Sequence, residues 1–291
     1  MSSIRTTPPR PIDIAAVVPG LVPLARPAMR LHPRPGSPSP HDSSVGGPLL
    51  WPADYPWPYC DKWHEGPAWP LVPVAQLYAR DVALLRPPGR ADLLQVLWCP
   101  SEQHPPHYRP PTELFWRTAA EVTDILTAPP TPPVSDYGYV PEPCVLAPEQ
   151  ITEYPNFLDL SEQLRAQLAD RSAFEAAGVV VDDYYAKAWE EFYINELSIA
   201  PGWKVGGWPR WGLTDPIPRF CIDCGAAMTP LLTIDSCEWD GSTGSWIPYE
   251  DQALGDARVA NPAKVTISRG YGLQLYVCSK VPAHSHTDLF Q

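Results

Sequence analysis

The sequence predicts an α+β fold, internally duplicated, with two β-rich lobes that share a core and helices inserted between the copies. Three observations lead there. First, Val45-Gly46-Gly47-Pro48-Leu49-Leu50-Trp51 returns as Val205-Gly206-Gly207-Trp208-Pro209-Arg210-Trp211, and Leu94-Gln95-Val96-Leu97-Trp98-Cys99 returns as Leu273-Gln274-Leu275-Tyr276-Val277-Cys278. Second, between these anchors each copy carries an apolar run opening on a proline, Pro70 to Leu77 and Pro230 to Ile234. Landmarks recurring in one order are the mark of a repeated unit. Third, most of the 40 prolines fall in the first half, and the stretch between the copies has helical periodicity. Proline removes a backbone donor and fixes φ, so the first half should hold short elements joined by stiff loops.

The elements follow in order. Residues 1–11, rich in Ser, Thr and Pro, read as a disordered leader, and 12–291 as a single domain. Ile12 to Ala25 suits a short helix interrupted by proline, and Ala28 to His32 alternates like a strand. Lobe one spans about 28–127 and lobe two about 199–291, with a helical middle at about 150–198. In lobe one, Gly46-Gly47 suits a tight turn, and Leu71–Leu77 and Leu93–Trp98 read as buried strands. Thr112 can cap a helix through Ile125, along which Leu114, Phe115, Ala119 and Val122 form a stripe. In the middle, Ser161–Ala177 and Asp182–Leu197 read as helices, the second with a core stripe of Tyr185, Trp189, Phe192 and Tyr193. In lobe two, Leu231–Ile234 and Leu273–Cys278 are strands, with Val265–Ser268 a third.

Charge narrows the partners. The net charge of −12 repels phosphate backbones and anionic lipid, so nucleic acid and membrane surfaces are excluded as partners. No run of apolar residues reaches the ~18 that a membrane span needs. Together these point to a cytoplasmic chain, and its seven cysteines, an odd number, argue against a fully paired disulfide framework.

Cys221-Ile222-Asp223-Cys224-Gly225 is the strongest local signal. Two cysteines two residues apart, followed by glycine, form a knuckle that aims both thiolates at one tetrahedral ion. Cys278, with His284 or with His286 in its place, completes a closed structural zinc site. Cys237 is the alternative third thiolate, and Cys278 is alternatively a buried strand residue like its counterpart Cys99. The segment from Trp51 through Trp57 and Trp63 to Trp69 either forms an aromatic groove for an extended peptide or packs on its own prolines. Phosphate loops, nucleophile elbows and metalloprotease pairs are missing, so no catalytic residue is assigned.

These residues resemble a known family. The Gly-Gly-Pro opening and Lys204-Val205-Gly206-Gly207-Trp208-Pro209, then Cys221-x-x-Cys224-Gly225, then Leu231 to Ser236, resemble the bacterial YwqG-like family, a domain of unknown function. Thr233 stands where that family typically has glutamine. The second half is also similar to the C-terminal domain of the programmed-cell-death-2-like ribosomal-protein chaperones. That resemblance implies zinc at Cys221, Cys224 and Cys278, with His284 or His286 replacing a final cysteine. The expectation is therefore a non-enzymatic binding protein, chaperone-like or neutralising toward a protein client. The alternative is an enzyme with a small-molecule site between the lobes. The sequence leaves the oligomeric state open.

Overall fold

The computed structural model describes residues 4–62, 67–105, 109–133, 135–179, 188–254 and 260–291. It is β-rich with few helices. Among the described residues, fourteen strands are arranged as two six-stranded antiparallel sheets and one two-stranded pair. In chain order they are β1 (Arg26–Arg30), β2 (Arg34–Pro35), β3 (Ser44–Val45), β4 (Tyr59–Cys60), β5 (Trp69–Pro70), β6 (Val72–Tyr78) and β7 (Leu93–Trp98). Then come β8 (Thr112–Arg117), β9 (Cys144–Val145), β10 (Glu149–Glu153), β11 (Lys204–Gly206), β12 (Met228–Asp235), β13 (Gly272–Cys278) and β14 (Thr287–Phe290).

One sheet runs β2-β9-β3-β6-β7-β8 and the other β10-β1-β11-β12-β13-β14, with β4 and β5 paired apart. The two orders correspond position by position. Each long central strand is bulged at its proline, between Pro73 and Ala75 in β6 and between Pro230 and Leu232 in β12. A bulge is where a central strand can carry a residue that donates no ladder bond. Past it, Gln76 faces Gln95 in one sheet and Thr233 faces Gln274 in the other. The second sheet takes its second strand from outside its own stretch of chain, whereas the first sheet is built entirely from residues 34–145. β1, from the N-terminal part, lies between β10 and β11, while β9 lies between β2 and β3.

One core serves both sheets. Val45, Val74, Leu77, Val96 and Trp98 from the first sheet cluster with Met29, Val205, Leu232, Ile234, Leu273 and Leu275 from the second. β7 is buried along its whole length, as expected of an unbroken apolar run flanked by strands on both sides. A satellite core gathers the helices α1 (Ile14–Val17), α2 (Glu162–Leu168), α3 (Arg171–Ala176) and α4 (Ala188–Phe192). Within it Trp189 and Tyr193 are buried and Phe192 packs against them, while Tyr185 lies outside the described residues. Ser161 caps α2 by accepting from Leu164 N–H at 3.3 Å. Asp170 ends that helix and caps α3, so the run expected through Ala177 is two short helices.

Two expectations are corrected. Thr112 begins a strand rather than a helix, because Thr112–Arg117 pairs in register with Trp98–Leu93. The segment satisfies both periods locally. Its tertiary partner decides, sending Leu114 and Trp116 to the shared core and Phe115 toward Trp51. Val265–Ser268 is irregular rather than a strand, since Lys264 and Ser268 take positive φ (54° and 50°) and only a single bridge, Ile267 to Tyr271, forms.

The N-terminal segment read as a leader touches the body at several points. Arg5 bonds Asp251, Thr7 N–H donates to Glu149 at 2.9 Å, and Arg10 donates to Ser245 Oγ at 2.9 Å. Among the described residues no helix is long and apolar enough to cross a membrane.

Candidate metal centre

Lobe two brings the expected four side chains together. The knuckle sits in the loop between β11 and β12, closed by Gly225 N–H on the Cys221 carbonyl at 2.8 Å and by Cys221 N–H on the Ala226 carbonyl at 2.8 Å. Gly225 takes φ +68°, a conformation that a side chain would strain, which is why glycine follows the second cysteine. Cys278 ends β13, and His284 follows in the turn before β14. Cys221 Sγ lies 3.5 Å from His284 Nδ1, and Cys224 Sγ lies 3.5 Å from Cys278 Sγ. All four donor atoms fall within 4.8 Å of one another. A tetrahedral zinc with bonds of ~2.3 Å to sulfur and ~2.0 Å to nitrogen separates its ligands by about 3.6–3.8 Å. The donor set therefore fits that ion.

At Cys278 electrostatics favour the ligating form. The Val281 N–H, 3.4 Å from Cys278 Sγ, and then the Lys280 N–H pull the Cys278 thiol down to about 6. Thiolate is the form that binds metal. Asp223 accepts from Ser285 N–H at 2.7 Å, tying the knuckle to the histidine turn, and that bond holds its carboxyl below the usual range.

The alternatives separate on geometry. His286 turns the other way, its Nε2 2.9 Å from Thr112 Oγ1 on β8. Cys237 stands outside the cluster, its thiol pushed up to about 12 by burial. The tryptophan-proline segment mostly packs on itself. Trp51 is buried, its ring 4.9 Å from Trp57 and 4.9 Å from Phe115, and its Nε1 donates to the Tyr55 carbonyl at 3.1 Å. Beside it lies an apolar cavity of about 480 Å³ lined by Trp51, Trp57, Gly47 and several prolines. Trp63 lies outside the described residues.

Sequence reasoning missed two things. A second group, Cys60, Cys99 and His104, also brings its donor atoms within 4.8 Å of one another. A signal for it lay in the sequence, where Leu94–Cys99 resembles Leu273–Cys278 and so sets Cys99 beside Cys278. The other is a buried charged cluster where β1 leads into β2. His32 Nε2 is 3.1 Å from Glu149, and its Nδ1 is 3.8 Å from Glu238 Oε2, with Arg30 and Arg34 alongside. His32 takes φ 45°, which is rare for a residue with a side chain. Burial lowers the His32 imidazole to about 4 and raises the Glu238 carboxyl to about 7. His32 is thus neutral, and its Nε2–H donates to the Glu149 carboxylate.

No family model matches this chain, and no curated protein matches it significantly.

Proposed function

We propose that the chain is a non-enzymatic binding protein. Its two lobes are copies of one unit, its second lobe is stapled by a structural zinc, and its knuckle docks a protein partner. The observation that carries this reading is the apolar surface around the cluster. Ile222 at the knuckle tip is 85% exposed, Phe220 just before it 64%, and Val281 on the facing turn 39%. Large apolar side chains grouped on ordered loops mark interaction surfaces. A closed metal site, which leaves no place for a reacting water, supplies the rigidity. The acidic excess favours a partner with a basic surround. A chaperone-like or neutralising role fits the same features.

Zinc stoichiometry and a surface variant test this together. Cys221→Ser should lose zinc from lobe two and lower the melting temperature, because binding energy at such a site is folding energy. Ile222→Asp should keep its zinc and fold, yet lose the proteins that the parent chain retains in quantitative affinity capture. The same retained set for both chains would defeat the docking surface. Unchanged zinc in Cys221→Ser would defeat the staple.

A second reading, an enzyme acting between the lobes, is favoured by the cluster of His32, Arg30, Glu149 and Glu238, which draws on both halves of the chain. Its groups are enclosed, with Thr7 Oγ1 bonded to both Glu149 and Arg30. A small molecule would reach them only if the segment from Arg5 to Arg10 lifted. Activity that appears on removing residues 1–10 would support this second reading.

A further inference from the structure

We propose that lobe one holds a second metal site, built from Cys60, Cys99 and His104 and taking zinc. Cys60 lies in β4, Cys99 directly follows β7, and His104 is in the loop after it. Cys60 Sγ is 3.3 Å from His104 Nε2, close to the ~3.6 Å that a shared tetrahedral zinc sets between sulfur and imidazole nitrogen. Three donors of two kinds thus arrive from two separate segments, β4 and the loop that follows β7.

Their placement is what argues for a site rather than a chance meeting of core residues. Trp98 ends β7 opposite Val72, and Cys99 is the next residue; Val277 pairs with Thr229 in the other sheet, and Cys278 is the next residue. Cys60 comes from the loop system joining β3 to β6, as Cys221 and Cys224 come from the loop joining β11 to β12. His104 follows its strand-end cysteine in the loop before β8, as His284 follows Cys278 in the turn before β14. The same three places in the strand order present thiolate, thiolate and imidazole twice. In lobe one the loop contributes one cysteine where lobe two contributes two.

The charge of the site suits its surroundings. Cys60, Cys99 and His104 are all buried, and the two cysteines cluster with Leu49, Leu71 and Leu97. Burying net charge is costly, and a zinc ion with two thiolates and a neutral imidazole carries none. The thiolate-imidazole donor set selects zinc over magnesium or calcium. Binding forms two sulfur–zinc bonds and releases two protons to solvent, with no change of oxidation state. His104 also lines a cavity of about 370 Å³ together with Arg109 and Thr112. That cavity gives the ion a route in. The fourth tetrahedral corner is left to a donor beyond these three, water included.

The site is independent of the knuckle, and the test keeps the two apart. The full, untagged chain is equilibrated with zinc under reducing conditions, and bound metal is measured by elemental analysis. Two zinc per chain are expected, falling to one in Cys60→Ser, to one in Cys221→Ser, and to none in the double variant. Cobalt uptake then separates the sites, because the thiolate-to-cobalt charge-transfer band left in Cys60→Ser comes from three sulfurs and that left in Cys221→Ser from two. If Cys60→Ser misfolds, the parent chain still decides. Cys60 and Cys99 should resist alkylation when zinc is bound and react after chelation, read peptide by peptide. One zinc per chain, retained in Cys60→Ser and lost in Cys221→Ser, would overturn the second site and leave the first. A disulfide between Cys60 and Cys99, or no change in their alkylation on chelation, would overturn it equally. One zinc retained in Cys221→Ser and lost in Cys60→Ser would support the lobe-one site while removing the knuckle staple.

Discussion

Glu238 is fully enclosed, and its Oε1 accepts from Trp203 N–H at 2.9 Å while its Oε2 faces the unprotonated Nδ1 of His32. Burial raises its carboxyl from 4.5 to about 7, the nearby Arg30 and Arg34 offsetting only part of that cost. The folded state then holds a proton that the unfolded chain gives up above 4.5. Stability from this group accordingly falls as pH rises from about 4.5 to about 7, by roughly 3 kcal/mol at most, and stays level beyond. His32 acts in the opposite sense. Its folded value is lowered, so its share is present above its ordinary 6.5 and is lost as pH falls toward about 4. Glu238→Gln keeps the acceptor for Trp203 and supplies a permanent donor toward His32. Urea denaturation should find this variant close to the parent at pH 5 and more stable at pH 8. Parallel stability curves across that range would show that Glu238 does not carry the proton.

At the scale of the element, each sheet is opened by a glycine pair that had to be glycine for different local reasons. Gly46 takes φ +62°, and a β-carbon there would stand 2.5 Å from the Pro141 carbonyl oxygen. Gly207 takes φ +74°, and its missing side chain leaves room for the Glu153 carboxylate. That carboxylate is spoken for on every side. Lys204 Nζ donates to it at 2.6 Å, Ala200 N–H at 3.0 Å and Trp208 N–H at 2.8 Å. A buried pair with all its bonds made is tolerated, and one with a partner displaced is not. Gly207→Ala should therefore cost roughly 2–3 kcal/mol, from strain plus displacement of Glu153. Chemical denaturation would show it. Gly241→Ala, at a surface turn with open space around the added methyl, is the control and should change little.

For the whole molecule the decisive fact is the placement of β1 in the second sheet. β1 pairs with β10 on one side through Arg26–Arg30 and with β11 on the other through Ala28–Arg30. The second sheet therefore depends on a strand supplied by the N-terminal segment, while the first sheet holds all its strands within residues 34–145. Fragment 149–291 should show no cooperative melting alone and should gain it on mixing with fragment 1–148. A sharp, independent transition in the isolated fragment would mean that each lobe closes its own sheet. The same placement ties the two sheets together, and their apolar residues form one core rather than two.

Much of the site and part of the fold were legible in the sequence. Cys221, Cys224 and Gly225 could be read as a knuckle because local spacing alone fixes where two nearby thiols point. Cys278 followed from its place at a strand end, and the β6, β7, β12 and β13 strands from apolar runs long enough to be buried. What sequence could not decide was any choice between two locally equal options. His284 and His286 are two residues apart in one turn, and only the packing of β14 beside β8 sends one to the sulfurs and the other to Thr112. Thr112–Arg117 fits helix and strand alike until β7 supplies its hydrogen-bond partner. Cys60 and His104 carry no mutual spacing, so only the closure of the first sheet brings them to Cys99. Local sequence set the chemistry of each donor and the direction of each strand. The meeting of distant donors, the placement of β1 in the second sheet, and the burial of Glu238 belong to tertiary structure, because each depends on surfaces that exist only once both sheets have closed on their common core.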